Sequence, residues 1–259
     1  MNPNPRPNPN PNPNPNPDRL FEPDRFGCAS GTCRNDSNGQ VSAIQPIFDQ
    51  YFGATAAERR RVCAIGWEPN PHHRARLTGL AGRYNALGWR TTFMQSAASV
   101  KDGEVRFFFD MVGKRSHNEW GASTISSRLN LGRNRTAAGV LKQSAVVSTV
   151  DIAAWFRREV LTRQLPRSDG GRPARIVMKV DIEGGEFELL PHLLASGVLC
   201  EVDYVYVEFH LTWVADGTAK AKAFTGNLTA LKEARGASCP IEFTHLDDEA
   251  FGSDDIPLP

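Results

Sequence analysis

The chain has 259 residues, a net charge of +1 from 30 Lys and Arg against 29 Asp and Glu, and 40% hydrophobic residues. That length suits one domain with a tail, or at most two domains, and without the first 18 residues it still buries roughly three quarters of its unfolded surface in one core. The basic residues are scattered rather than clustered, which argues against a nucleic-acid-binding face, and no apolar run is long enough to span a bilayer.

Residues 2–17 are an almost pure Asn-Pro alternation. Every second residue lacks an amide donor and Asn seldom builds a core, so residues 1–18 are expected to form an extended, polyproline-like disordered tail. Residues 19–38 are a poorly defined lead-in, with no apolar stretch of five or six residues to make a strand, and the expected domain runs over 39–259. The N-terminus has no hydrophobic signal region, so a cytoplasmic protein is expected; a secretory or organellar origin stays open if a segment precedes residue 1. The five cysteines, Cys28, Cys33, Cys63, Cys200 and Cys239, have no zinc spacing, and their odd number implies no disulfide framework and a reducing compartment. Cys63 and Cys200 lie in apolar surroundings and read as core. Asn35, Asn134 and Asn227 begin glycosylation sequons, which read as chance matches without a secretory signal.

From Val41 the chain settles into alternating elements. Ile44, Ile47, Phe48 and Tyr51 recur at helical spacing over Val41 to Tyr51, and Arg59-Arg60-Arg61 reads as a solvated helix end. Val62 to Trp67 is a predicted strand, closed by Glu68. Pro69 to Leu87 is a predicted helix opened by Asn70-Pro71 in the cap and N1 arrangement. His72 and His73 then read as its solvated start, not as metal ligands. Trp89 to Gln95 is a second strand, followed by the small residues Ser96 and Ala97. Asp102-Gly103 between apolar runs is a hairpin signal. Residues 111–147 form a long polar insert in which His117 and Trp120 are candidates to touch a substrate. A helix over Asp151 to Leu161 follows, then a strand at 174–182, a helix at 186–196, a strand at 203–209, a helix near 217–234 and a short strand at 240–245. Such alternation predicts an α/β fold with a mostly parallel sheet and helices on both faces.

The most informative stretch is 176–194, IVMKVDIEGGEFELLPHLL. Its first residues have the β-branched, nearly continuous apolar character of a strand buried on both faces. Asp181 and Glu183 therefore fall at the carboxyl end of a strand, where open α/β sheets bind ligands. Gly184-Gly185 allows a sharp turn, and Glu186 falls in the first helical turn, where negative charge helps to start the helix. Asp181 itself has three readings: it holds a cofactor's amino group, takes a proton from the acceptor, or caps the helix at 186. Glu208 and His210 end the strand Tyr204 to Phe209 on the same side by alternation, so a carboxylate can orient an imidazole suited to proton removal near neutral pH.

MKVDIEGGEFELL at 178–190 resembles the signature of FkbM-type methyltransferases. Four further segments resemble that family in the same order: VCAIGWEPNP at 62–71, SAASVKDGEVRFFF at 96–109, YVYVEFH at 204–210 and the tail LDDEAFGSDDIPLP at 246–259. The resemblance implies a Rossmann-like fold and S-adenosyl-L-methionine as cofactor. It further implies that Glu68 and Asn70 lie at the ribose, Glu68 accepting from both hydroxyls, that Ser96 and Ala97 lie beside adenine, and that Gly39 closes the glycine-rich cofactor loop. In place of that loop's Asp-x-Gly-x-Asn-x-Gly pattern the chain has RFGCASGTCRNDSNGQ at 25–40. Asp181, Glu208 and His210 are the implied catalytic groups.

The leading expectation is methyl transfer to an oxygen of a small-molecule or glycan acceptor, with neither nucleic acid nor membrane as partner. A non-catalytic scaffold that kept the fold and lost the cofactor loop is the alternative. A nicotinamide-dependent enzyme is disfavoured by the missing Gly-x-Gly-x-x-Gly after a first strand.

Overall fold

The computed structural model describes residues 50–53, 55–109, 121–125, 143–163 and 174–246. The Asn-Pro tail, the lead-in with Gly39, Cys28 and Cys33, most of the helix expected at 41–51, the insert residues His117 and Trp120, and the tail from 247 lie outside that set. Strands are β1 Cys63–Trp67, β2 Arg90–Met94, β3 Ala97–Ser99, β4 Gly103–Phe108, β5 Ser144–Asp151, β6 Val177–Val180, β7 Tyr204–Val207 and β8 Glu242–His245. Helices are α1 Ala56–Arg59, α2 Arg74–Ala86 behind a 3-10 turn at Pro71–His73, α3 Ile152–Glu159, α4 Glu186–Ala195 and α5 Gly217–Arg235. Among the described residues no helix is long and apolar enough to cross a membrane.

The architecture is mixed α/β, with the strands in three sheets ordered β1-β2, β3-β5-β4 and β6-β7-β8. β6, β7 and β8 are all parallel, with α4 and α5 as the crossovers that parallel pairing demands. β7 alternates half-buried Tyr204 and Tyr206 with fully buried Val205 and Val207. α4 contributes Leu189, Leu190 and Leu193, and α3 contributes Ile152, Trp155 and Phe156, to the same apolar core. Asp151 starts α3 by accepting from Ala154 N at 3.0 Å, while its Oδ1 also meets His192 Nε2 of α4 at 3.0 Å.

Two compact units divide the described chain, one of residues 50–63 and 79–91, the other of 64–78 and 92–246. In the smaller unit Tyr84 stacks on Trp89 with ring centroids 5.0 Å apart, and the Asn85 side chain brackets the backbone of Thr91 with bonds of 3.0 Å from each amide end. Arg59, expected on a solvated helix end, is instead buried and donates Nε to Gly53 O at 3.2 Å. The larger unit holds the core just described and a smaller cluster of Ala97, Phe107, Phe109, Ala122 and Val147.

Long-range pairing overrides three local expectations. Asp102-Gly103 does not close a hairpin, because β5 lies between β3 and β4, parallel to the first and antiparallel to the second. Residues 144–147 of the expected polar insert are the opening of β5. The cysteines also depart from their odd-number reading: Cys200 and Cys239 are both buried and form a disulfide across 39 residues. Cys63, expected in the core, is exposed and lies outside that disulfide.

Candidate functional site

Beyond the carboxyl ends of β6 and β7 the chain folds one imidazole into a ring of carboxylates. Phe209 packs among Phe187, Phe224 and Phe243, with ring centroids 5.7–6.4 Å away, and this anchor turns its neighbours Glu208 and His210 the other way. His210 Nε2 lies 3.1 Å from Glu183 Oε2, 3.6 Å from Glu208 Oε1 and 3.9 Å from Asp181 Oδ1. Its Nδ1 lies 3.2 Å from Glu186 Oε1, and the Trp213 ring covers it with centroids 4.4 Å apart. Only 9% of the His210 side chain is exposed. Burial opposes the charged imidazolium. The hydrogen bond to Glu186 and the charges of Glu183, Glu186 and Asp181 outweigh it and raise the His210 pKa above its ordinary 6.5.

Glu186 is the residue that sequence reasoning undervalued. Its exposure is 0%, and it does far more than favour a helix start. Oε2 accepts from Gly184 N at 2.8 Å, while Oε1 accepts from His210 N at 2.7 Å. One carboxylate thus satisfies the turn before α4 and fixes the imidazole after β7. Asp181 is not the cap of α4: the N-cap is Gly185, with no side-chain cap bond. Asp181 instead pairs with Lys179 Nζ at 2.8 Å, and the same amine reaches Glu208 Oε2 at 3.9 Å.

The turn that carries Glu183 is itself unusual. Glu183 has φ +55° and Gly184 φ +96°, in the left-handed region that a residue with a side chain enters only at a cost. Ser123, from within the expected insert, secures this turn by donating Oγ to Glu183 O at 2.6 Å while accepting from Ile125 N at 3.0 Å. Nothing local in the sequence marks Ser123 for that role. A shallow, open depression lined by Leu211, Val214, Asp216, Thr218, Ala219 and Lys222 follows His210 along the chain.

The remaining candidates gather around the ends of β1 and β2. Glu68 Oε1 accepts from Asn70 N at 2.7 Å and its Oε2 lies 3.6 Å from His73 Nδ1. Asn70 is buried, its Oδ1 caps the following turn by accepting from His72 N at 3.0 Å, and Gln95 Nε2 donates to the carbonyls of Glu68 at 2.8 Å and Asn70 at 3.0 Å. His72 lies against Phe109, with ring centroids 4.6 Å apart. Ser96 and Ala97 are both buried. Ser96 Oγ has no hydrogen-bond partner among the described residues, an unusual state for a buried hydroxyl.

No family model, no curated protein and no solved structure matches the chain.

Proposed function

We propose that the chain transfers the methyl group of S-adenosyl-L-methionine to a hydroxyl oxygen of a small-molecule or glycan acceptor, as an FkbM-like methyltransferase of Rossmann-like fold. The observation that carries this reading is the buried His210 among Asp181, Glu183, Glu186 and Glu208 at the carboxyl ends of two adjacent parallel strands, the position at which open α/β sheets bind ligands. The residues present fit the cofactor at one point within the motif segment 96–109. The orphaned, buried Ser96 hydroxyl lacks the partner that an adenine edge would supply, and the small Ala97 beside it leaves the backbone approachable.

When bound, S-adenosyl-L-methionine supplies an electrophilic methyl carbon on a sulfonium. Glu68, Asn70, Ser96, Ala97 and Asp181 are the described residues that would hold it. His210 is the general base: Glu186 fixes Nδ1, and Nε2, which lies 3.1 Å from Glu183 Oε2, is the nitrogen that takes the acceptor's proton. Glu183, Glu208 and Asp181 then compensate the imidazolium, so the proton need not leave at once. Lys179 holds Asp181 in place. Positioning the oxygen for in-line approach is most of what such a transfer requires.

The test is a calorimetric titration with S-adenosyl-L-methionine. Glu68→Ala weakens binding by about 1.5–3 kcal/mol, the range for hydrogen bonds to a charged group, and Glu68→Gln by less. Ser96→Ala weakens it by about 0.5–1.5 kcal/mol. A second reading, a non-catalytic scaffold of the same fold, is favoured by the partners that Asp181, Glu186 and His210 already find within the cluster. Millimolar cofactor that leaves the melting temperature unmoved decides for the scaffold, because a ligand far above its dissociation constant must stabilise the fold.

A further inference from the structure

We propose that Asn227 is an N-glycosylation site, used as the chain enters an oxidising secretory compartment. Asn227-Leu228-Thr229 is a sequon on α5, and it lies inside the stretch that the Cys200–Cys239 disulfide closes. The disulfide overturns the reducing-compartment reading and so gives a reason, separate from the N-terminus, to take that sequon as used. Both cysteines are buried in the main core, where a bond between them persists only if the chain folds under oxidising conditions, and such conditions prevail where N-glycans are added.

The local surface suits a glycan. Leu228 is 4% exposed and ties this turn of α5 to the core, which directs the preceding Asn227 to solvent. Asn227 makes no side-chain hydrogen bond among the described residues, so its amide is held by nothing that modification would break. Of its neighbours at helical spacing, Ala223 and Ala230 are exposed and small while Phe224 and Leu231 pack into the core, and a methyl group placed on the adjacent Gly226 meets no atom within 4 Å.

In the transfer, Asn227 Nδ2 bonds to the anomeric carbon of an oligosaccharide carried on a lipid diphosphate. The bond from that carbon to the diphosphate oxygen breaks, the lipid diphosphate leaves, and Nδ2 gives up one proton; nothing is oxidised or reduced. In the folded helix Thr229 Oγ1 donates to Thr225 O at 2.9 Å, so the hydroxyl that completes the sequon is already engaged. Transfer therefore precedes the folding of α5.

The experiment is peptide mapping of the full chain from the cells that make it, before and after an amide-cleaving N-glycosidase. Asn227→Gln, Thr229→Ala and Thr229→Ser are expressed in the same cells. The expected result is a parent peptide in which the glycosidase leaves an aspartate at position 227. Asn227→Gln and Thr229→Ala should each migrate faster by one glycan, and Thr229→Ser should keep it. The proposal is overturned by an unmodified Asn227 peptide from the parent, by co-migration of Asn227→Gln with the parent, or by thiols at Cys200 and Cys239 that alkylate without prior reduction.

Discussion

Glu186 and His210 are joined twice: one carboxylate oxygen lies 2.7 Å from the His210 amide nitrogen and 3.2 Å from Nδ1 of the same residue. This double contact links the first turn of α4 to the segment that leaves β7, across 24 positions of sequence.

Glu186→Ala leaves the amides of Gly184 and His210 buried without their acceptor. The loss should be about 3 kcal/mol, from hydrogen bonds to a charged group and donors left unsatisfied. Glu186→Gln keeps one acceptor oxygen and should cost less. Urea unfolding reads both, and a midpoint for Glu186→Ala equal to the parent's would remove Glu186 from the centre of the site.

The raised His210 pKa makes part of the stability depend on pH. A group whose folded pKa lies above its unfolded value stabilises fully below the unfolded value, here about 6.5, and that contribution is lost as pH rises through the folded value. The melting-temperature gap between the parent and His210→Asn should therefore be widest in mild acid and shrink as pH rises past 6.5. A gap that widens with pH contradicts the sign.

Gly184 separates backbone strain from crowding. A Cβ there would stand 2.5 Å from Ile125 Cδ1, the movable end of a side chain, while φ +96° penalises any residue but glycine. Gly184→Ala should cost about 1–2 kcal/mol from the left-handed backbone. Adding Ile125→Val, which deletes the clashing carbon, should recover only part of it. If the double variant matches Ile125→Val alone in denaturant, crowding was the whole effect.

Replacing Cys200 and Cys239 together by alanine should lower stability by roughly 2–4 kcal/mol, since the bond closes a loop of 39 residues that the unfolded chain otherwise leaves free. Thermal melts with and without reductant provide the comparison. Identical melts would mean that the bond does not constrain the unfolded chain.

Much of the fold is legible because it is written in local runs. The strands at Cys63–Trp67 and Val177–Val180 and the helices at Arg74–Ala86 and Gly217–Arg235 each carry their own apolar pattern or cap. What was not legible depends on residues far apart. β5 inserts between β3 and β4 from the far end of the expected insert, so Asp102-Gly103 looked like a hairpin. The burial of Glu186 depends on a partner in another strand's exit, and a lone Glu at a helix start looks the same with or without it. Ser123 reaches Glu183 across 60 positions. The odd cysteine number hid one real pair, because counting says nothing about which two thiols meet.

The position of that pair has a further consequence. Cys200 precedes β7 and Cys239 precedes β8, so the bond rivets the two strands together at the ends where they start, while Glu208 and His210 leave β7 at its far end. A strand slipped by one residue turns every side chain to the opposite face. For β8 that slip would exchange Phe243, which packs on Phe209 and Phe224, for Glu242 or Thr244. With the starting ends fastened, misalignment of this kind is closed to the chain. The aromatic anchor that aims Glu208 and His210 is thus guarded by a bond that touches neither of them.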